Sequence, residues 1–289
     1  MSYIQTGDNR FNQPVNLFYE DWGEGQPVVL IHGWPLSHQM WESQLLELPK
    51  HGLRCIAYDR RGFGRSSKPW EGYDYDTFAD DLKAVLEELD LENVTLVGFS
   101  MGAGEVVRYF SRHGGARVAK AVLVGGVTPF LLKTDDHPEG APQEIFDTMI
   151  EKIEEDRADF LNDFGKQFYG VGLLSKPVSQ SLLDWNKTLA LFASPKATID
   201  CVRAFSETDF RSEMASVNVP TLVIHGDADK TVPIDFTGEQ AARMIPNAEY
   251  KVYEGAPHGL FATEKDRLNE DLLGFILESS PVWITTETH

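Results

Sequence analysis

Short apolar runs alternate with amphipathic segments along most of this 289-residue chain. This alternation is typical of a parallel sheet whose strands are joined by crossover helices. From residue 27 onward the runs are continuously apolar, as expected for strands buried on both faces. The predicted strands are residues 16–22, 27–31, 54–59, 94–99, 121–126, 221–226 and 249–255.

The clearest predicted helix covers residues 76–90, where apolar side chains recur at helical spacing on one face and Asp76 is the expected N-cap. The alternation stops after residue 126, and about ninety residues then pass before the next convincing strand. Within this interval apolar side chains repeat every three or four positions, which predicts a helical insertion. Prolines and glycines at its start and the Asn-Val-Pro at 218–220 mark its ends.

Composition excludes several classes of partner. A formal net charge of −19 repels nucleic acid and anionic membranes, and no segment approaches the ~20 apolar residues of a membrane span. The histidines and two cysteines show no metal-ligand spacing, and the Gly-Phe-Gly at 62–64 lacks the remaining features of a dinucleotide loop. We therefore expect a cytoplasmic protein with no metal and no cofactor, acting on small molecules.

Ser100 stands between Gly98 and Gly102, after the strand at 94–99 and before a helical pattern. A tight strand-to-helix reversal crowds the positions two before and two after its central residue, so only a very small residue fits there. Such a turn lifts a serine hydroxyl above the sheet edge, where a base and a substrate reach it. The strand, serine and helix occur in the required order, which predicts that Ser100 is a nucleophile.

A serine hydroxyl needs a histidine base and a carboxylate that orients it. His258 follows the last predicted strand in a short Gly-rich loop and is the expected base. Asp227 and Asp229 both follow the strand at 221–226. We favour Asp229 as the orienting carboxylate, and the alternative Asp227 is better placed to cap the turn or hold the loop.

An acyl-transfer intermediate also needs two backbone donors for its oxyanion. The N–H that follows the nucleophile, that of Met101, is the first candidate. The second is the N–H of Trp34, in the His-Gly-Trp-Pro loop after an early strand, where Gly33 permits a close approach. Five aromatic residues of the insertion line an apolar pocket or pack in the core, and a narrow pocket with a short acyl group is expected; they are Phe160, Phe164, Phe168, Trp185 and Phe192.

Together with YDRRGFGRSS, GFSMG, HGDADKTVP and GAPHG, these features resemble the α/β-hydrolase superfamily, over nearly the whole chain to about residue 278. Within it the chain is similar to the cofactor-free bacterial haloperoxidases, arylesterases and γ-lactamases. The resemblance implies a mostly parallel eight-stranded sheet flanked by helices. It divides the chain into core residues 1–127, a helical cap at 128–217 and core residues 218–289.

The resemblance further implies a serine esterase that acts on small aryl esters or lactams without a cofactor. Hydrogen peroxide replaces water in a perhydrolase side reaction, which produces haloperoxidase activity. One alternative is a non-haem peroxidase whose physiological product is the peracid. Another is a non-catalytic ligand-binding protein on the same fold. The sequence leaves open the natural substrate, a homo-oligomeric state, and roles for the acidic surface and the C-terminal tail.

Overall fold

A computed structural model describes residues 2–7 and 14–278, so the predicted tail from residue 279 lies outside the described residues. The described chain forms one sheet of eight strands in the spatial order β1-β2-β4-β3-β5-β6-β7-β8. β2 is antiparallel to both of its neighbours, and all other pairs are parallel. The strands are β1 Tyr3–Thr6, β2 Val15–Trp22, β3 Gln26–Ile31, β4 Leu53–Tyr58, β5 Val94–Phe99, β6 Val118–Val124, β7 Thr221–Gly226 and β8 Ala248–Tyr253.

Nine α-helical segments and a few short 3₁₀ turns connect these strands in the described part of the chain. The helices are α1 Glu42–Glu47, α2 Tyr75–Glu88, α3 Met101–His113, α4 Gln143–Phe168, α5 Gln180–Leu191, α6 Pro195–Glu207, α7 Gly238–Met244, α8 Leu260–Thr263 and α9 Lys265–Leu277. None of the helices in the described ranges combines the length and apolarity that crossing a bilayer demands.

The sheet separates two apolar layers because successive side chains of a strand point to opposite faces. In β3, Val29 and Ile31 join the cluster that contains α2 and α3, whereas Val28 and Leu30 join the cluster that contains α8 and α9. The central strands are therefore buried on both faces, which explains their continuously apolar sequences. The predicted fold class, a mostly parallel sheet flanked by helices, is confirmed.

Two local expectations were wrong. The short strand β1 was missed, because its four residues give too brief an alternation to stand out. Helix α2 is capped by Asp74 and not by Asp76: the Asp74 side chain accepts a hydrogen bond from the Thr77 N–H at 2.9 Å. Asp76 lies in the first turn, where a negative charge also favours the helix.

Helices α4, α5 and α6 occupy the interval between β6 and β7. Helix α4 is broken at Asp156, whose φ of −152° and ψ of 92° are not helical. The Asp156 side chain accepts a hydrogen bond from the Asp159 N–H at 3.0 Å and so caps the second half. This half reaches the ends of the central strands, because the Phe168 ring packs edge-on against His258 with centroids 4.8 Å apart.

Candidate active site

Ser100 forms the turn between β5 and α3 with φ of 54° and ψ of −116°, outside the regions that non-glycine residues usually adopt. A Cβ at Gly98 would lie 2.5 Å from the Gly102 carbonyl oxygen, and one at Gly102 would lie 2.6 Å from the Ile31 oxygen. A hydrogen bond from the Ser100 N–H to the Val124 carbonyl, at 2.8 Å, holds the turn against β6. The flanking glycines are thus required by backbone contacts on both sides of the serine.

Three predicted side chains meet at the carboxyl ends of the strands. His258 Nε2 lies 2.9 Å from Ser100 Oγ, and His258 Nδ1 lies 2.6 Å from Asp229 Oδ2. All three residues are buried, and the rings of Phe99 and Phe168 pack against the imidazole at 4.9 and 4.8 Å. A carboxylate only accepts hydrogen bonds, so Nδ1 carries the proton and Nε2 presents its lone pair to the serine hydroxyl.

The loop after β7 holds Asp229 in this orientation. Asp229 Oδ1 accepts hydrogen bonds from the backbone N–H groups of Thr231 and Val232 at 2.9 and 2.8 Å. Burial disfavours the charge on Asp229, but His258 and His225 outweigh this effect and lower its pKa well below the usual range. Asp229 is therefore an anion at neutral pH, with one oxygen committed to the loop and one to histidine.

Asp227 lies in the same loop but, among the described residues, makes its side-chain contact elsewhere. Its Oδ1 accepts a hydrogen bond from the Gly255 N–H at 2.6 Å, which ties the loop after β7 to the loop that carries His258. Asp227 is exposed. Of the two candidates, the structure brings Asp229 to His258 and gives Asp227 a loop-holding contact.

The loop after β3 lies directly beside the serine. A Cβ at Gly33 would lie 3.0 Å from Ser100 Cβ and 2.6 Å from the Phe99 ring, so glycine allows this approach. The indole Nε1–H of Trp34 donates to the Thr198 carbonyl in α6 at 3.0 Å. Within residues 2–7 and 14–278, neither the Trp34 nor the Met101 backbone N–H has a protein acceptor. Their role as oxyanion donors stays a prediction.

A buried polar network holds the loop after β3 in place. The Arg60 Nη2–H donates to the His32 carbonyl at 2.8 Å, and the Arg60 backbone N–H donates to His32 Nε2 at 3.0 Å. The Arg60 Nε–H donates to Glu105 of α3 at 2.8 Å, and the Tyr58 hydroxyl donates to the same carboxylate. The network joins the loop before Trp34 to the helix that follows Ser100, and sequence patterns gave no signal of it.

A cavity of about 940 Å³ opens above Ser100 and His258. This volume lies at the large end of the range for small-molecule sites, so the prediction of a narrow pocket is wrong. Of the five predicted cap aromatics, Phe160 and Phe164 line the cavity and Phe168 packs on His258. Trp185 and Phe192 are 40% and 61% exposed, and they neither line the cavity nor belong to the core.

The cavity wall is apolar in depth and acidic along α4. Hydrophobic side chains from the sheet edge and the cap surround the serine; they include Trp34, Val127, Leu131, Phe160, Phe164, Phe205 and Val232. Five carboxylates and two lysines line the same cavity, namely Glu144, Glu155, Asp156, Asp159, Asp163, Lys152 and Lys230. The acidic excess places a negative potential on the approach to the serine.

Three buried histidines of the site region, His32, His38 and His225, escaped sequence reasoning. His225 lies at the end of β7 beside Asp229, and His38 is buried and bonded to Asp59 through Nδ1 at 2.7 Å. A histidine in an otherwise apolar strand was the only available signal for His225. Among the described residues no group of three or more His, Cys, Asp or Glu is arranged to hold a metal ion.

Comparisons with known proteins agree with this geometry. A family model described as the alpha/beta hydrolase fold matches residues 26–265. The chain is 46% identical to a putative non-heme chloroperoxidase of Synechocystis, covering 96% of this chain and all of that protein. It is 40% identical to a bifunctional esterase/perhydrolase of Acinetobacter calcoaceticus, covering 96% and 99%. The crystal structure of a bromoperoxidase from Bacillus anthracis superposes with a TM-score of 0.91 at 49% identity, covering 96% and 100%.

Proposed function

Because the chain belongs to the alpha/beta hydrolase family, within its group of non-heme haloperoxidases and esterases, we propose that it hydrolyses carboxylic esters through an acyl-enzyme. The observation that carries this proposal is the hydrogen-bonded series from Ser100 through His258 to Asp229, with Ser100 at the floor of an apolar cavity. A buried imidazole in contact with both a hydroxyl and a carboxylate is the arrangement that makes a serine nucleophilic.

In the proposed reaction, Ser100 Oγ attacks the ester carbonyl while His258 Nε2 takes the hydroxyl proton. Asp229 stabilises the resulting imidazolium from the Nδ1 side. The backbone N–H groups of Trp34 and Met101 are the proposed donors to the oxyanion, each contributing about 3 kcal/mol to the barrier reduction. The imidazolium then returns its proton to the leaving alcohol, and the acyl group remains on Ser100.

Water or hydrogen peroxide completes the cycle at the same imidazole. Water attacks the acyl carbon, His258 accepts its proton, and the carboxylic acid leaves as Ser100 recovers its hydrogen. When hydrogen peroxide attacks instead, the product is the peracid, again with release of the serine hydroxyl. The peracid then oxidises a halide ion to hypohalous acid and is reduced to the carboxylic acid. This route needs neither metal nor haem and accounts for the haloperoxidase activity.

The cavity defines the size and charge of the proposed substrates. Its volume and hydrophobic depth accommodate aryl esters and acyl groups well beyond acetate. The excess of carboxylates along α4 disfavours anionic substrates, because an anion would approach against a negative potential. Neutral and cationic esters are therefore the proposed substrate class.

Labelling with a fluorophosphonate and assays on matched substrates test the proposal. The intact protein should become covalently labelled at Ser100 and should hydrolyse p-nitrophenyl acetate, whereas Ser100→Ala should do neither. Absence of labelling on the folded protein would contradict the proposal and favour a non-catalytic binding protein.

The relative named esterase/perhydrolase favours a second candidate, in which peracid formation is the main activity. Comparing ester hydrolysis with peroxide-dependent bromination at equal ester concentrations separates the two. If peracid forms faster than the ester is hydrolysed under these conditions, the peracid is the principal product.

A further inference from the structure

Asp229 contacts a second imidazole, which the reaction described above does not use. His225 Nε2 lies 3.3 Å from Asp229 Oδ2, the same oxygen that contacts His258 Nδ1 at 2.6 Å. His225 is fully buried near the end of β7, four residues before Asp229, and it does not line the cavity. One carboxylate oxygen thus lies between two buried histidines.

The surroundings of His225 determine where its proton lies. Nε2 is 2.8 Å from the Val232 carbonyl oxygen, which only accepts, so Nε2 carries hydrogen. Nδ1 is buried and has no hydrogen-bond partner among the described residues. A Cβ on Gly238, at the start of α7, would lie 2.3 Å from Nδ1, so the helix closes this side of the ring. A second proton at Nδ1 would therefore have no acceptor among the described residues.

We propose that His225 is a positioning residue for the esterase reaction: its Nε2–H is shared between the Val232 carbonyl and Asp229 Oδ2, and it sets how strongly Asp229 acts on His258. This inference rests on the proposed function. His225 reaches no substrate and exchanges no proton. It acts by holding the loop after β7 and by drawing charge from the oxygen that His258 also uses.

The shared oxygen gives this arrangement a kinetic consequence. When the His225 N–H is removed, more of the negative charge on Asp229 is available to His258, so the protonated form of the His258 imidazole is favoured. The unprotonated base then appears only at higher pH. The acid limb of kcat/KM should therefore move upward by about 0.5 to 1 pH unit, the shift that corresponds to one hydrogen bond of ordinary strength.

The charged groups nearby do not supply an alternative source of such a shift. Asp229 Oδ1 is saturated by two backbone N–H groups, and Asp227 on the same loop bonds the Gly255 N–H. From the other elements, the β5–α3 turn contributes Ser100, α4 contributes the Phe168 ring and α7 contributes Gly238. Lys230, next in sequence to Asp229, lines the cavity and is exposed.

A pair of substitutions at His225 separates positioning from packing. His225→Leu removes the donor, and His225→Gln retains an N–H near the Nε2 position. The leucine variant should show the raised acid limb and, at pH 6, about three- to tenfold lower kcat/KM with nearly unchanged KM, as a shift of 0.5 to 1 pH unit implies. The glutamine variant should restore the wild-type limb. A leucine variant with the wild-type acid limb and only a lower melting temperature would overturn the proposal.

A second pair decides the matter if His225→Leu does not fold. Gly238→Ala pushes on the ring without removing a polar group, and Gly274→Ala in α9 is the matched control, because its Cβ would meet nothing within 4 Å. Only Gly238→Ala should shift the acid limb, and an unchanged limb would refute the inference. Fluorophosphonate labelling of each variant keeps the two proposals distinguishable, since a labelled enzyme without the shift contradicts His225 alone.

Discussion

Lowering the pH should destabilise the protein through His32, the buried residue that begins the loop beside Ser100. Its Nδ1–H donates to the Gly33 carbonyl at 2.9 Å, and its Nε2 accepts from the Arg60 N–H at 3.0 Å. Burial, and next the charge of Arg60, lower the pKa of His32 from 6.5 to about 3. Between these two pH values His32 binds a proton in the unfolded chain but not in the folded protein. The free energy of unfolding therefore falls as the pH falls.

The size of this effect follows from the two pKa values. A proton bound only by the unfolded state costs up to about 1.4 kcal/mol per pH unit, which gives about 2 kcal/mol between pH 7 and pH 5. Continued to pH 3 the loss reaches roughly 4 kcal/mol, because the folded ring itself begins to bind a proton near that pH. Other carboxylates also titrate over this interval, so the total stability does not isolate His32.

Comparing the wild type with His32→Gln isolates the contribution of His32, because glutamine keeps an acceptor for the Arg60 N–H and does not titrate. We expect the wild type to be the more stable protein at pH 7 and its advantage to shrink by about 2 kcal/mol at pH 5. Urea unfolding at a series of pH values measures the difference, and His51→Gln, which removes an exposed imidazole, serves as the control. Parallel stability curves for wild type and His32→Gln would refute the reasoning.

Three further predictions concern the site. Asp229→Asn should lower kcat by about 10⁴-fold, since an amide N–H facing Nδ1 favours the wrong tautomer of the imidazole, while Asp227→Asn should stay within tenfold of wild type in the same p-nitrophenyl acetate assay. Glu155→Lys should raise kcat/KM for an anionic ester relative to a neutral one by about threefold at low salt, whereas Glu154→Lys, exposed but outside the cavity, should not. Gly98→Ala should abolish labelling of the serine, because its Cβ would lie 2.5 Å from a carbonyl oxygen of α3; a normally labelled variant would contradict this.

Local pattern was sufficient for the elements that carry the site, and insufficient for the contacts between them. The strands before Ser100 and Asp229 were predictable because burial on both faces leaves a continuously apolar run. The glycines on either side of Ser100 predicted a crowded turn. By contrast, the ion pair of Arg60 with Glu105 joins residues 45 positions apart, and no periodicity records such a pair. The size of the cavity depends on how α4 lies over the sheet, which is likewise a property of packing.

The division of the chain into core residues 1–127, a helical cap at 128–217 and core residues 218–289 stays a prediction. The structure places three helices between β6 and β7, and one of them contributes the acidic wall of the cavity. In the proposed reaction this segment shapes the substrate cavity, while the loops at the sheet edge carry the proposed reacting groups. Whether it folds and unfolds as a unit is measurable by hydrogen exchange, with common protection of α4 and α6 as the expected result.

Three buried histidines around the site explain why one of them is suited to carry a proton. His32 faces a carbonyl and a backbone N–H, and His225 faces a carbonyl on one side and the closed contact with Gly238 on the other. The surroundings of neither ring provide an acceptor for a second proton. Each ring therefore serves as a fixed hydrogen-bond donor that holds its loop. His258 alone of the three has a carboxylate at Nδ1 and a hydroxyl at Nε2. Its imidazolium is therefore paired when it forms, and burial of the site strengthens this pairing.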